Sequence, residues 1–274
     1  MKIFDTNINF KEISFNRVIN AFFKRITHPY YLFKYYLPFG FNKSNRKKIS
    51  KLKNIHNGKR CFIIASGPSL KHIDFNFLKN EYTIAMNRGY MLEDQVGLKP
   101  NYLVCIDIKT QLKQFTNEYN NIKGITTFYN YNMKHLFDKF ENRYFIQSKF
   151  SSKFIGKNML FGNGKSVTYH CIQLAHYMGF SEVYLIGKDH SYDTSQIPGS
   201  SVKVTKKTNN HFLKNYYYKN QIYDSPDLMQ EEIAYKIAKD FYEKTNRKIY
   251  DATINGKLDI FDKIDFFSLF QKTI

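Results

Sequence analysis

"CFIIASGPSL", residues 61–70, runs an apolar strand straight into Ser66-Gly67-Pro68-Ser69. A strand buried on both faces reads as a short unbroken apolar run, and Cys61 to Ala65 has that character. Glycine lets a backbone approach its neighbour closely. Proline at the first position of a helical turn gives up an N–H that would lack a partner there anyway. Ser66 or Ser69 could then cap the turn or donate to a phosphate oxygen. Two readings of the join stand: a plain strand-to-helix corner, or backbone N–H groups gathered around an anion.

Downstream the same pattern of apolar run and polar stop recurs. "YTIAMN" (82–87) and "PNYLVCID" (100–107) read as strands, and "GITTFYNY" and "RYFIQS" as weaker ones. "SVTYHCIQLAHYMGF" (166–180) reads as a helix with Val167, Cys171, Leu174, Ala175 and Met178 along one stripe, leading into the strand "SEVYLIGKD". A late helix, "DLMQEEIAYKIAKDFYEKT", precedes a last short strand, "RKIYDAT". Strand, helix and strand joined by short turns imply right-handed crossovers and a parallel sheet. The expectation is one α/β domain over residues 52–274, Rossmann-like, with a mostly parallel sheet flanked by helices.

Ligands of open α/β sheets bind beyond the carboxyl ends of the strands. Those ends here are Ser66 to Ser69, Asn87-Arg88-Gly89, Asp107, and Asp189-His190. A second anion-type stretch is "FGNGKSVTYHC" (161–171), where Gly162 and Gly164 precede Ser166 and Thr168 at the mouth of the clear helix. Free N–H groups and the helix dipole favour an anion there, although an ordinary capped helix fits the same residues. The glycine spacing is not that of a Walker A loop. His190 follows the strand-end Asp189, and His211 sits in the polar, aromatic stretch "TNNHFLKNYYY". Histidine is the side chain best suited to accept a hydroxyl proton near neutral pH. No HExxH, Cys/His cluster or Asp-x-Asp signals a metal, so none is expected.

The chain of 274 residues carries a net charge of +19, unevenly spread. Residues 1–60 hold fourteen Lys or Arg against Asp5 and Glu12, which accounts for +12. Residues 12–26 have the spacing of an amphipathic helix, which Pro29 is expected to end. An aromatic stretch, "HPYYLFKYYLPFGF", and a basic run, "NKSNRKKISKLKNIHNGKR", follow. This arm, residues 1–51, suits the anionic inner surface of a membrane. It equally suits a helix packed on its own domain, followed by a solvated linker. No recognisable nucleic-acid module accompanies the charge, so nucleic acid is not an expected partner. Cys61, Cys105 and Cys171 form no CxxC, and no apolar run reaches the roughly 18 residues that cross a bilayer. A cytoplasmic protein, peripheral on the inner face of the cytoplasmic membrane, is expected, and a homo-oligomer is compatible with the sequence.

"FIIASGPSLKHIDFNFLKNEYTIAMN" resembles the opening of the family 42 bacterial sialyltransferases, where a strand enters a Gly-Asn-Gly-Pro-Ser-Leu loop and a second strand ends in a nucleotide-holding asparagine. "MGFSEVYLIGKDHSYD" resembles their later strand ending in Gly-x-Asp. With "HFLKNYY" and "KIYDATINGKLDIF", the chain is at least as similar to the MptE-like family, domain of unknown function 115, over about residues 59–265. That family includes archaeal hydroxymethylpterin diphosphokinases and proteins of bacterial surface-polysaccharide gene sets.

The resemblance implies a variant GT-A-like fold. It also implies an inverting, metal-independent glycosyltransferase that moves a sugar, foremost a CMP-activated sialic-type acid, onto a lipopolysaccharide or capsule glycan or glycolipid. No cofactor beyond the nucleotide-sugar donor is implied. Ser66, Gly67, Pro68 and Ser69 would line the donor phosphate and sugar, and Asn87 would hold the nucleotide. Gly164, Ser166 and Thr168 would meet the phosphate or carboxylate, and Tyr192 would replace a phosphate-binding tyrosine beside Gly187 and Asp189. His211 would be the base, with His190 the other candidate, and Asp189 would stand with them as a catalytic residue. Ala65-Ser66 departs from the family's Gly-Asn pair. Asp107 stands where a sialyltransferase asparagine is expected, and its carboxylate could accept ribose hydroxyls. Two alternatives follow. One is a Mg²⁺- and ATP-dependent 6-hydroxymethylpterin diphosphokinase using Asp107, Asp189 and Asp193; the other is a non-enzymatic basic scaffold for lipid or nucleic acid.

Overall fold

In the computed structural model, which describes residues 2–3, 6–7, 15–149, 151–156, 159–191, 198–205 and 210–271, the opening apolar run is strand β1 (Arg60–Ile64). It lies within a sheet of nine strands. The others are β2 (Tyr82–Met86), β3 (Tyr102–Cys105), β4 (Thr126–Asn130), β5 (Arg143–Ser148), β6 (Leu160–Phe161), β7 (Glu182–Ile186), β8 (Lys248–Asp251) and β9 (Asp262–Lys263). Their order is β9-β8-β7-β1-β2-β3-β4-β5-β6, and every neighbouring pair is parallel. The fold is therefore α/β and Rossmann-like, with both faces of the sheet covered.

The period-two alternation of a strand covered on both faces explains why β1 is apolar from Cys61 onward. Cys61 and Ile63 point into one core, with Ile84, Val104 and Phe128, under helices α3 (Val167–Met178) and α4 (Leu228–Glu243). Phe62 and Ile64 point into the other, with Leu103 and Tyr129, covered by short turns that carry Leu70, Phe75 and Leu112. All three cysteines are free thiols buried in these cores.

The N-terminal region departs from the sequence reading in one respect. Helix α1 (Phe15–Tyr36) does not end at Pro29 but runs through it and takes in the aromatic stretch. Pro29 lies on an exposed turn, where the carbonyl it leaves without a partner can be hydrated. The basic run then forms α2 (Gly40–Ser50), with Asn45 and Ile49 buried. The Asn45 amide donates to the Phe145 carbonyl at 2.7 Å, and its oxygen accepts the Phe145 N–H at 3.0 Å. β6 pairs with β5 only at Gln147 and Ser148. Asn45 thus satisfies an edge position that would otherwise expose its backbone. Among the described residues no helix is long and apolar enough to cross a membrane.

From β1 the chain builds outward to β6, then returns to place β7 on the other side of β1. The order reverses between β1 and β7, and that switch point is where the candidate site lies.

Candidate functional site

The turn after β1 and the turn after β7 are locked together. The Gly67 N–H donates to the Gly187 carbonyl at 2.9 Å. A Cβ on Gly67 would stand 1.6 Å from Asp189 Oδ2 and 2.5 Å from the Gly187 carbonyl oxygen, so only glycine fits. Pro68 opens a single 3₁₀ turn (Pro68–His72), and the anion at its mouth is the protein's own. The Ser69 N–H donates to Asp189 Oδ1 at 3.1 Å and its hydroxyl to Oδ2 at 2.9 Å. Ser69, read in sequence as a donor contact, and Asp189, read there as a catalytic residue, are here partners of each other. Gly187 has a φ of +68°, and its missing Cβ makes room for Leu70.

One wall of the site comes from the loop over residues 210–218, bracketed by an antiparallel ribbon of Ser201–Lys203 and Ile222–Asp224. His211 Nδ1 is 3.0 Å from the Ser66 hydroxyl, and the imidazole stacks on Tyr216 at 3.9 Å between centroids. Burial lowers the His211 pKa to about 4, so the ring is neutral at pH 7. No hydrogen-bond partner among the described residues engages its Nε2. The Tyr216 hydroxyl also interacts with the Ser66 and Asn87 side chains. Asn87 ends β2 with a φ of +50° and keeps a buried side-chain oxygen without a partner among the described residues.

Arg88 holds this wall in place. It is 1% exposed and donates to the carbonyls of Asn215 at 2.8 Å and Tyr216 at 2.6 Å, and to Glu118 at 2.8 Å. Its guanidinium also lies over Phe115, 4.1 Å from the ring centroid. Buried among these partners, it stays charged.

The opposite wall is the first turn of α3. Ser166 is its extended N-cap residue, yet its side chain caps nothing. The Ser166 hydroxyl instead lies 2.9 Å from the Tyr235 hydroxyl of α4, and Thr168 touches Met86 at the end of β2. Tyr235 donates to Glu231 Oε2 at 3.2 Å, and the same oxygen pairs with Lys188 Nζ at 2.7 Å. Lys188 and Glu231 side chains are 5% and 6% exposed, a buried ion pair that ties the β7 end to α4. His190, with a φ of +53°, places Nε2 2.9 Å from Glu232 Oε1. A carboxylate can only accept, so in a neutral ring Nε2 carries the proton and Nδ1, buried and unpartnered among the described residues, is a lone pair.

Ser66, Gly67, Ser69, Asn87, Ser166, Thr168, Gly187, Asp189, His190 and His211 are thus linked through short contacts around one switch point. Others have different occupations. Asp107 caps the short turn Ile108–Leu112 by accepting from the N–H and hydroxyl of Thr110, and burial raises its pKa. Gly164 packs a loop onto α4, where a Cβ would stand 2.5 Å from that of Ala234. Tyr192 and Asp193 lie outside the described residues. Sequence reasoning assigned nothing to Arg88, Lys188, Tyr216 or Tyr235. A charged residue directly after an apolar strand, as Arg88 and Lys188 are, was the available signal.

A family model described as 6-hydroxymethylpterin diphosphokinase MptE-like matches residues 40–195. The match starts at the first residue of α2 and stops short of His211 and α4. No curated protein matches the sequence. Among solved structures, the MAf glycosyltransferase from Magnetospirillum magneticum AMB-1 is similar at 14% sequence identity and a TM-score of 0.50, over 84% of this chain and 39% of that one. The likeness is one of fold, and the chain spans about two fifths of that protein's length.

Proposed function

Since the chain belongs to the MptE-like family, a fold that gathers polar residues at a switch point, we propose that it is a glycosyltransferase using a nucleotide-activated sugar. The donor in this proposal is a CMP-linked sialic-type acid and the acceptor a cell-surface glycan, in lipopolysaccharide or capsule. The observation that carries the reading is the uncapped N-terminus of α3, joined through Thr168, Met86, Asn87 and Tyr216 to a neutral His211.

In this scheme the acceptor hydroxyl attacks the anomeric carbon as the bond to the donor phosphate breaks, inverting that centre in one displacement. The hydroxyl proton passes to Nε2 of His211, which Ser66 and Tyr216 orient. The departing CMP phosphate lies at the free N–H groups of α3, where the dipole and the Ser166 hydroxyl favour its charge. That phosphate would also lift the His211 pKa from about 4, making it a better base. The lone acceptor of Asn87 calls for a donor on the nucleotide, a base amine or ribose hydroxyl.

Thermal-shift titration with CMP, CDP, UDP and ATP, repeated in EDTA, tests the reading. CMP is expected to stabilise the protein in chelator, and His211→Ala to keep that shift while slowing transfer by about 10²–10⁴-fold. Absence of stabilisation by every cytidine nucleotide would overturn it. The description of the matching family favours one other reading, transfer of pyrophosphate from ATP to a pterin alcohol with release of AMP. That reaction needs Mg²⁺ beside the phosphates, whereas Asp107 and Asp189 are engaged by Thr110 and Ser69. Stabilisation by ATP only with Mg²⁺, lost in EDTA, would replace the glycosyl reading with this one.

A further inference from the structure

Helix α1 buries Tyr35 in its last turn, opposite its apolar stripe. Successive residues turn by about 100°, so Ile26, Tyr30 and Phe33 share one stripe and Tyr35 falls on the other side. Tyr35 is fully buried, 5.0 Å from Tyr131 between ring centroids. Ile26, Tyr30 and Phe33 are 58%, 59% and 69% exposed. The helix is held by its last turn, and its stripe faces away from the domain. In the sequence the same spacing runs back through Phe22, Ile19 and Phe15. An apolar stripe open to water, as Ile26, Tyr30 and Phe33 form, marks an interaction site.

Charge selects the partner. Between Glu12 and Asp74 the chain has thirteen Lys or Arg and no acidic residue. Helix α2 repeats the division: Asn45, Ile49 and Leu52 are buried, and Lys43, Lys47 and Lys51, on the opposite side, are exposed. A nucleic acid would engage the lysines and leave the apolar stripe wet. A second copy would bring like charges together. An anionic bilayer takes both features at once, since its headgroup–acyl boundary accepts the stripe and its phosphates attract the cations.

We propose that α1 is an interfacial anchor that lies in the surface of an anionic membrane, with Ile26, Tyr30 and Phe33 at the acyl boundary and Lys34, Lys43, Lys47 and Lys51 toward lipid phosphates. The anchor goes beyond the transfer reaction and does not depend on it.

Co-sedimentation of the full chain with phosphatidylcholine vesicles, with and without phosphatidylglycerol, tests the anchor. Binding is expected only with phosphatidylglycerol and weakens as salt rises. The exposed-site variant Ile26→Glu/Tyr30→Glu/Phe33→Glu should keep its melting temperature and lose roughly tenfold or more in affinity. Lys43→Glu/Lys47→Glu/Lys51→Glu should lose binding to a similar extent. Wild-type binding by the apolar variant overturns the proposal. So does a wild-type dimer that ignores vesicles and dissociates in that variant, or duplex-DNA binding in the absence of vesicle binding. Because binding is read without turnover, an inactive protein that still binds vesicles would count against the transfer reading alone.

Discussion

The Pro68 turn and the N-terminus of α3 are written alike in sequence, with a glycine, a hydroxyl residue and the start of a helical turn. They differ in what fills them. At Pro68 a carboxylate from the neighbouring strand, Asp189, takes both the N–H and the hydroxyl of Ser69. At α3 no side chain caps the helix, and the Ser166 hydroxyl turns aside to Tyr235. The first is a strut between β1 and β7, and the second has no side-chain cap. Glycine and serine alone do not make a phosphate site in such a sheet; the reach of the nearest acidic side chain decides it.

The tie between the two regions gives the largest expected effect. Lys188 sits in the Gly187–Asp189 turn and pairs with Glu231, which holds Tyr235 and through it Ser166. Lys188→Met leaves Glu231 charged and unpaired in the interior, and should destabilise the protein by about 3–5 kcal/mol in urea unfolding. Lys188→Met/Glu231→Leu should recover most of that loss. A single variant as stable as the parent would mean that the ion pair does not join the two regions.

The closed turn comes next. Gly67→Ala drives a methyl into Asp189 and the Gly187 carbonyl, and should lower stability by about 3 kcal/mol, the upper end for overpacking. Asp189→Asn keeps the shape but removes the charge-assisted bonds to Ser69, for a loss of about 1.5–2 kcal/mol. If the Pro68 turn is only a strut, the CMP-induced thermal shift survives Asp189→Asn unchanged. A large gain in nucleotide affinity would make the freed turn a second phosphate site.

The sheet was legible in sequence wherever strands were unbroken apolar runs, as in β1, β3 and β7. β5 read weakly because Arg143 and Gln147 are polar yet buried, Arg143 with its guanidinium on Asn120 and on the Asp138 carbonyl. The two-residue strands β6 and β9 carry too little pattern to see. α2 read as a basic arm or linker because, of the two residues it buries, one is an asparagine. At the site, the strand ends were visible but not their pairings. Ser66 meets His211 and Ser69 meets Asp189 across 145 and 120 residues of sequence, and nothing local specifies either. His211 stood out as one of two candidate histidines and became the base only through resemblance, and Arg88, which positions its loop, was named only as a strand-end residue.

The smallest effect sharpens the comparison most, because it converts the open region into a copy of the closed one. Ser166→Asp places a carboxylate at an N-cap position that already has extended backbone geometry, φ −135° and ψ 139°. It can accept from the free N–H groups of the first turn and complement the dipole, as Asp189 does at Pro68. It gives up the serine hydroxyl's contact with Tyr235, which still donates to Glu231. The net gain in stability of the ligand-free protein should therefore be under about 1 kcal/mol. The self-supplied anion should at the same time abolish the thermal shift with CMP, by repulsion and by occupying the amides. Ser166→Ala, which leaves the amides free, should retain most of that shift. If Ser166→Asp binds CMP as the parent does, the phosphate does not sit at α3, and the contrast between the two turns says nothing about the ligand.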